Sequence, residues 1–379
     1  MSRTLGIEEE LLLVERGSGQ PLSVAGGVMR RASLPEQRRE AGLPAQEDQG
    51  PGGHVTPEMQ QQQIETDTPP RTSLADLEQD LASWRELVIR SARDSGALVL
   101  AVGTSPMAVT PTLQRDERYA RMADQYGLTA AEHLISGCHV HVSVESDDEG
   151  VGVLDRIRVW LPVLLALSAN SPYWQGEDSG YASFRSQVAV RWPSAGPVDA
   201  FGSAERYHEL VADMVATGVL LDPAMAYFDA RLSDSYPTVE VRVADVCLDS
   251  RDAVLVAGLC RGLVETASRD WTEGRPAPEM PTAMLRLANW QAGRYGVEGD
   301  LLDPVTTRPR PAREVLDDLV AHVRPALEET GDLDRVREGI ERVLTTGNGA
   351  ARQRSVLDRT GQLTDVVAEL ARVTAGRGD

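Results

Sequence analysis

Gly6-Ile7-Glu8-Glu9-Glu10-Leu11 is the stretch on which the fold turns. Leu5, Ile7, Leu11, Leu12 and Leu13 surround the three glutamates, so residues 4–14 read as a strand. Side chains two apart on a strand share a face, which puts Glu8 and Glu10 on one side and Glu9 on the other. Two later stretches repeat the pattern: Gly137-Cys138-His139-Val140-His141-Val142, and Thr238-Val239-Glu240-Val241-Arg242. If the three strands join one sheet, carboxylates, imidazoles and a guanidinium converge on one face. Unpaired buried charge is too costly for that face to be dry core, so it suits several metal ions and a polyanionic ligand. A solvated edge strand is the plainer account of three glutamates, which are poor strand formers. The flanking leucines favour burial instead.

Outward from the first strand, residues 17–53 are rich in Gly, Pro, Gln and Glu and read as a long, partly mobile insertion with a short helix near 28–32. Residues 73–95 have helical periodicity behind the N-cap candidate Ser73. Residues 97–102 read as a strand and 114–126 as a helix. An acidic turn is expected at 145–150, one apolar helix at 154–168, and a polar loop at 170–180, a class that is often functional. Helices are also expected at 204–217 and 252–268, a hairpin from 226–230 and 239–242, and a helical end from 311 onward, with helices at 313–328, 332–345 and 362–374. No repeat or linker is evident, so residues 1–379 are expected to form one α+β domain with helices on one side of a largely antiparallel sheet.

Glu8 and Glu10 are candidate Mg²⁺ ligands, because that ion prefers carboxylate oxygens shared with substrate phosphates. Glu58 and Glu65, seven apart, lie on one face of a helix or near one site if a bulge intervenes. Ile64-Glu65-Thr66-Asp67-Thr68 alternates like a strand. His139 and His141 together fit the metal pair of a zinc hydrolase, or a Mg²⁺ or Mn²⁺ shell. Asp229, Arg231, Glu240, Arg242 and Asp245 form a charged cluster: either an ion-pair ladder, or a site where Glu240 ligates metal and Arg242 grips an anion through two parallel bonds. Arg185 is a further anion clamp. Trp174, Trp192 and Trp290 read as core or rim.

The chain has 379 residues and a net charge of −20, which disfavours nucleic acid as a partner. No apolar run is long enough for a membrane span and the start is unlike a signal peptide, so a cytoplasmic protein is expected. Cys138, Cys247 and Cys260 do not form a disulfide framework, and Cys247 and Cys260 read as buried thiols. The sequence contains no lysine. A lysine-dependent P-loop, a pyridoxal phosphate Schiff base and the usual kinase lysine are therefore excluded.

Taken together, these motifs resemble the type 2 glutamate–cysteine ligase family, also called carboxylate–amine ligases. The resemblance is carried by residues 5–11, Glu58 with 63–68, 103–106, 136–142, 167–172, then Gly176, Gly180, Ser183 and Arg185, Asp229-Ala230-Arg231, 238–245, and Gly347-Asn348-Gly349-Ala350 with Arg352-Gln353-Arg354. It covers nearly the whole chain in order, apart from 17–53. It implies a glutamine synthetase-like curved antiparallel sheet, with helices on the convex side and Mg-ATP on the concave one. It also implies metal roles for Glu8, Glu10, Glu58, Glu65, His139 and Glu240, with His141 beside them as a phosphate or metal contact. Arg185, Arg231 and Arg242 would hold phosphate or the acid substrate.

The expected activity is ATP-dependent ligation of an amino acid carboxylate, often the γ-carboxylate of glutamate, to an amine such as cysteine. It would run through an acyl phosphate with release of ADP and phosphate, with Arg185, Arg242 and Glu240 at the reacting centre. Mg²⁺ is the expected ion and Mn²⁺ the substitute. Partners would be small molecules, or further copies of the chain. Asp229 or the phosphate itself are options for the proton acceptor. A catalytically silent binding protein and a zinc hydrolase are the alternatives. Glu240→Gln is expected to abolish ATP turnover in a chain that still folds.

Overall fold

The structure, a computed structural model, describes residues 2–44 and 52–377. Strand β1 (Leu5–Glu15) is followed by helices α1 (Ala25–Ala32) and α2 (Pro35–Glu40), strands β2 (Val55–Pro57) and β3 (Gln63–Asp67), and helix α3 (Leu74–Arg93). Next come β4 (Ala97–Leu100), α4 (Glu117–Tyr126), α5 (Leu128–Ala131) and β5 (Gly137–Ser143). Helices α6 (Asp147–Ile157) and α7 (Leu161–Ser168) lead to the short pair β6 (Tyr173–Trp174) and β7 (Glu177–Asp178). After α8 (Arg185–Ala189) and α9 (Ala204–Ala216), strands β8 (Ala230–Leu232) and β9 (Thr238–Asp245) complete the main sheet. The rest is largely helical: α10 (Ser250–Thr272), α11 (Thr282–Tyr295), α12 (Ala312–Thr330), α13 (Leu333–Thr346), α14 (Gly349–Thr360) and α15 (Leu363–Thr374).

The sheet runs β2-β3-β1-β5-β9-β8, with β4 also on β1, and these pairings are antiparallel. β1 is thus an interior strand, which removes the edge-strand explanation of its glutamates. Leu5 and Ile7 point to the back face, where Val140, Val142, Val239 and Val241 join them against α3, α6, α7 and α10. Glu9 points the same way and is fully buried. Arg85 of α3 grips it at 2.6 and 2.9 Å and donates also to the carbonyls of Cys247 and Leu248 at 2.7 and 2.9 Å. Beyond Glu10 the opposite face becomes apolar: Leu12, Val14 and Leu100 pack with Val366, Val367 and Leu370 of α15. The C-terminal helices therefore close one end of the acidic face.

Several local expectations change. Residues 147–150 open α6: Ser146 accepts from the Glu149 N–H at 3.2 Å, and Asp147, Asp148 and Glu149 occupy the first turn, where negative charge is favoured. The single helix expected at 154–168 is two, broken ahead of Pro162, which sits in the first turn of α7. The 170–180 loop contains the β6–β7 hairpin, whose turn residues Gln175 and Gly176 have φ of 53° and 85°, as a tight hairpin requires. The strand expected at 226–230 starts only at Ala230, and the helix expected at 114–126 starts at Glu117 behind the capping Asp116. Helices α11 and α14 were not foreseen individually. The helix expected near 28–32 is α1, whose Ala25, Val28 and Ala32 are buried; the part of the expected insertion at 45–51 lies outside the described residues. All three cysteines are buried thiols. Among the described residues no helix is long and apolar enough to cross a membrane.

Candidate functional site

Antiparallel register explains how distant residues meet. Glu8 of β1 stands opposite His139 of β5, Glu10 opposite Glu65 of β3, and His141 opposite Glu240 of β9. Opposed residues project to the same face. Two groups result, and within each the ligand atoms lie within 4.8 Å of one another: Glu8 with His139 and Glu240, and Glu10 with Glu58 and Glu65. These are the six expected metal residues. His139 stands between the groups, its Nδ1 3.2 Å from Glu8 Oε2 and its Nε2 4.0 Å from Glu10 Oε1. Glu58 is not helical: residues 58–62 loop out between β2 and β3, and the chain returns so that Glu65 rejoins Glu58.

The two groups differ electrostatically. Glu240 is buried between Arg231, which holds it at 2.7 Å, and Arg242. Burial would raise its pKa, but the charges of Arg242 and Arg231 outweigh that and bring it to about 2. Glu8 is also held below the usual carboxylate range, where hydrogen bonds from His139 and His141 overcome burial. The second trio has no such support: no arginine lies within 4.0 Å of Glu10, Glu58 or Glu65 among the described residues. Burial and the Glu10 charge push Glu58 to about 7, while burial and Glu58 push Glu65 well above the ordinary range. Three half-buried carboxylates with oxygens this close favour a cation or protons. Their hard oxygen donors suit Mg²⁺.

The remaining expected residues sort by what they touch. Arg242 donates from Nη1 to Glu240, with His139 Nδ1 3.4 Å away, and stacks over Tyr227; its Nε and Nη2 have no partner among the described residues. Arg231 is engaged at all three nitrogens, by Glu240 and the Ala224 carbonyl, and also lines the main cavity. Arg185 lines the cavity too, with its Nε unpartnered among the described residues, while its other nitrogens support the sheet. β9 has an extra residue opposite His139, a bulge at Arg242–Val243, and Arg185 donates to both bulge carbonyls at 3.2 and 3.3 Å. Gly137 permits this approach, since a Cβ there would lie 2.4 Å from Arg185 Nη2; its N–H also donates to Glu10 Oε2 at 2.6 Å. Asp245, fully buried, fixes the loop that carries Arg185 by accepting from Asn170 N–H and the hydroxyls of Ser171 and Ser183. His141 contacts Glu8 and Thr238 and lies outside both trios, so the two histidines do not form the shared pair a zinc hydrolase would need.

A cavity of about 710 Å³ opens over Glu8, His139, Arg242 and the trio of Glu10, Glu58 and Glu65. Its walls include residues the sequence did not single out, such as Tyr119 and Tyr227, and Arg286 and Asn289 of α11. Their helix carries no motif, and only its four-residue spacing could have shown it. Asp229 also lines the cavity. Burial raises its pKa to about 6 against a hydrogen bond from Asn289 and the Arg185 charge. Trp192 is buried and Trp290 lies on the exposed rim, as core-or-rim residues should. A second cavity, about 240 Å³ and mostly apolar, lies at the Thr238 end of the sheet and shares Glu8 and His141 with the site.

The family model described as Glutamate-cysteine ligase family 2 (GCS2) matches residues 4–369. The chain belongs to this family. A Streptomyces coelicolor protein named "Putative glutamate--cysteine ligase 2" is 50% identical over 372 residues, covering 98% of this chain and 99% of that one. Among solved structures, the bifunctional glutathione synthetase of Pasteurella multocida superposes with a TM-score of 0.69 at 17% identity, covering 99% of this chain and 52% of that longer one. The Francisella tularensis glutamate–cysteine ligase in complex with AMP gives 0.66 at 13%, covering 100% and 90%. At those identities the likeness shows the shared fold. Family membership supports the expected enzyme class, an ATP-dependent ligase.

Proposed function

We propose that this chain joins the γ-carboxylate of glutamate to an amine at the expense of ATP, and that the six clustered ligands hold divalent cations there. The observation that carries this reading is the trio Glu10, Glu58 and Glu65, half-buried with their oxygens within 4.8 Å of one another and no arginine in ion-pair contact among the described residues. Bound Mg²⁺ would neutralise phosphate charge and polarise the transferred group. The apolar second cavity is sized for the purine base, with its polyphosphate directed past His141 towards Glu8. The donor carboxylate oxygen then attacks the γ-phosphorus and the bond to ADP breaks, leaving an acyl phosphate. Arg242 presents its two unpartnered nitrogens to the developing negative charge. The amine nitrogen attacks the acyl carbon, phosphate departs, and the amine loses a proton.

Phosphate release from ATP, Mg²⁺ and L-glutamate, screened against cysteine, other amino acids and small amines with product masses, tests this. Amine-dependent ADP together with a product of acid plus amine minus water supports it and names the acceptor. Folded protein that binds no ATP refutes it.

A further inference from the structure

Three residues of the main cavity have no part in the chemistry above, and they sit at the sheet edge away from the acidic trio. Asp229 precedes β8, and its carbonyl accepts from the Arg242 N–H at 2.8 Å. The two residues thus oppose each other across neighbouring strands, with Cβ atoms about 5 Å apart. Arg242 turns to Glu240 and His139, which leaves Asp229 to the cavity beside it. Asn289 Nδ2 donates to Asp229 Oδ2 at 2.6 Å. Asp229 Oδ1 receives no hydrogen bond from any described residue, and the buried Asn289 Oδ1 receives none either. Two adjacent acceptors therefore lack a donor, and an ammonium group brings three with a matching charge. One turn earlier on α11, Arg286 lines the same cavity and makes no hydrogen bond to a described residue.

We propose that this wall binds the α-amino acid end of the donor substrate: Asp229 takes its ammonium, Asn289 fixes the Asp229 carboxylate, and Arg286 takes its α-carboxylate. This rests on the ligase reading. It makes the donor a dicarboxylic amino acid held at both ends, with its α-carboxylate at Arg286 and only the distal carboxylate left for Arg242. The wall thereby selects the amide position as well as the substrate. Asp229 is a specificity residue and leaves the amine's proton to another acceptor.

The test compares L-glutamate with glutarate, which lacks only the ammonium, and with 4-aminobutyrate, which lacks only the α-carboxylate. Binding is measured by calorimetry to full-length protein with Mg²⁺ and a non-hydrolysable ATP analogue, and KM values are measured for donor, acceptor and ATP. Asp229→Asn should weaken glutamate about 10- to 100-fold, the worth of one charged hydrogen bond, and leave glutarate and ATP unchanged. Arg286→Ala, at an exposed position, should weaken glutamate and glutarate alike about tenfold, leave 4-aminobutyrate unchanged, and carries the test alone if the first variant does not fold. Unchanged glutamate affinity in the folded variants, equal losses for glutamate and glutarate in Asp229→Asn, equal losses for glutamate and 4-aminobutyrate in Arg286→Ala, or a change confined to the acceptor's KM would overturn the assignment. Wild-type protein that prefers glutamate to glutarate yet forms no amide would refute the ligase reading and leave the subsite standing.

Discussion

Glu58 is the residue in which the site's chemistry is most concentrated. Its pKa of about 7 means that the metal-free native chain keeps a proton which the unfolded chain loses near 4.5. Native stability from this group therefore falls as pH rises between those values. A divalent cation takes the proton's place, so binding should release protons and strengthen with pH. The increase in melting temperature on adding Mg²⁺ should grow from pH 6 to pH 8; an increase that does not change with pH would contradict the cause assigned to the shift. Glu58→Gln relieves like-charge repulsion, so the metal-free variant should be at least as stable as wild type. It should lose most of the Mg²⁺ effect and at least roughly 100-fold in turnover, both read by thermal unfolding and phosphate release. Glu240→Gln is a poorer probe than the sequence suggested. Glu240 neutralises two arginines, and breaking a buried pair costs about 3–5 kcal/mol, so lost turnover in that variant would be mixed with lost stability. Arg242→Lys should cut turnover while binding of ATP persists, because an ammonium cannot engage Glu240 and an anion in one plane. Full activity in that variant would reduce Arg242 to a structural ion pair.

At the scale of elements, β1 works on both faces. Glu8 and Glu10 are presented to the cavity while Glu9, between them, is locked to α3 by Arg85. Arg85→Met should cost about 3–5 kcal/mol in denaturant unfolding, and the double variant with Glu9→Gln should recover part of that loss. Additive losses would show that the pair is not coupled. β5 and β9 are joined by the bulge that Arg185 supports. Gly137→Ala places a methyl group against that guanidinium and should destabilise by about 1–3 kcal/mol, with activity falling more than stability alone explains. What was legible here was periodicity. The i, i+2 pairs gave β1, β5 and β9 and the shared face of their polar residues. The bulge was not legible, since Arg242-Val243 carries no glycine or proline to mark it. The acidic run 147–149 read as a turn because carboxylates favour turns and first helical turns alike. α11 was hidden because Gly and polar residues dilute its apolar face.

Over the whole molecule, the six metal candidates lie on four segments between residues 8 and 240, and only the antiparallel order β3-β1-β5-β9 brings them together. Their identities could be proposed from the resemblance; their division into an arginine-supported trio and an unsupported one needed the structure. So did the carbonyls that Arg185 and Arg231 hold, because backbone carbonyls as partners leave no trace in a sequence. The face is closed at one end by α15 and opens at the other into the apolar cavity, so nucleotide and donor are expected to meet from different directions over the two trios. Isotope transfer tests that account most directly. Glutamate carrying ¹⁸O in its γ-carboxylate, turned over with ATP, Mg²⁺ and the acceptor, should deliver one labelled oxygen to each phosphate released. Amide formation with no label in the phosphate would contradict phosphoryl transfer to the donor carboxylate, and with it the role assigned to this face of the sheet.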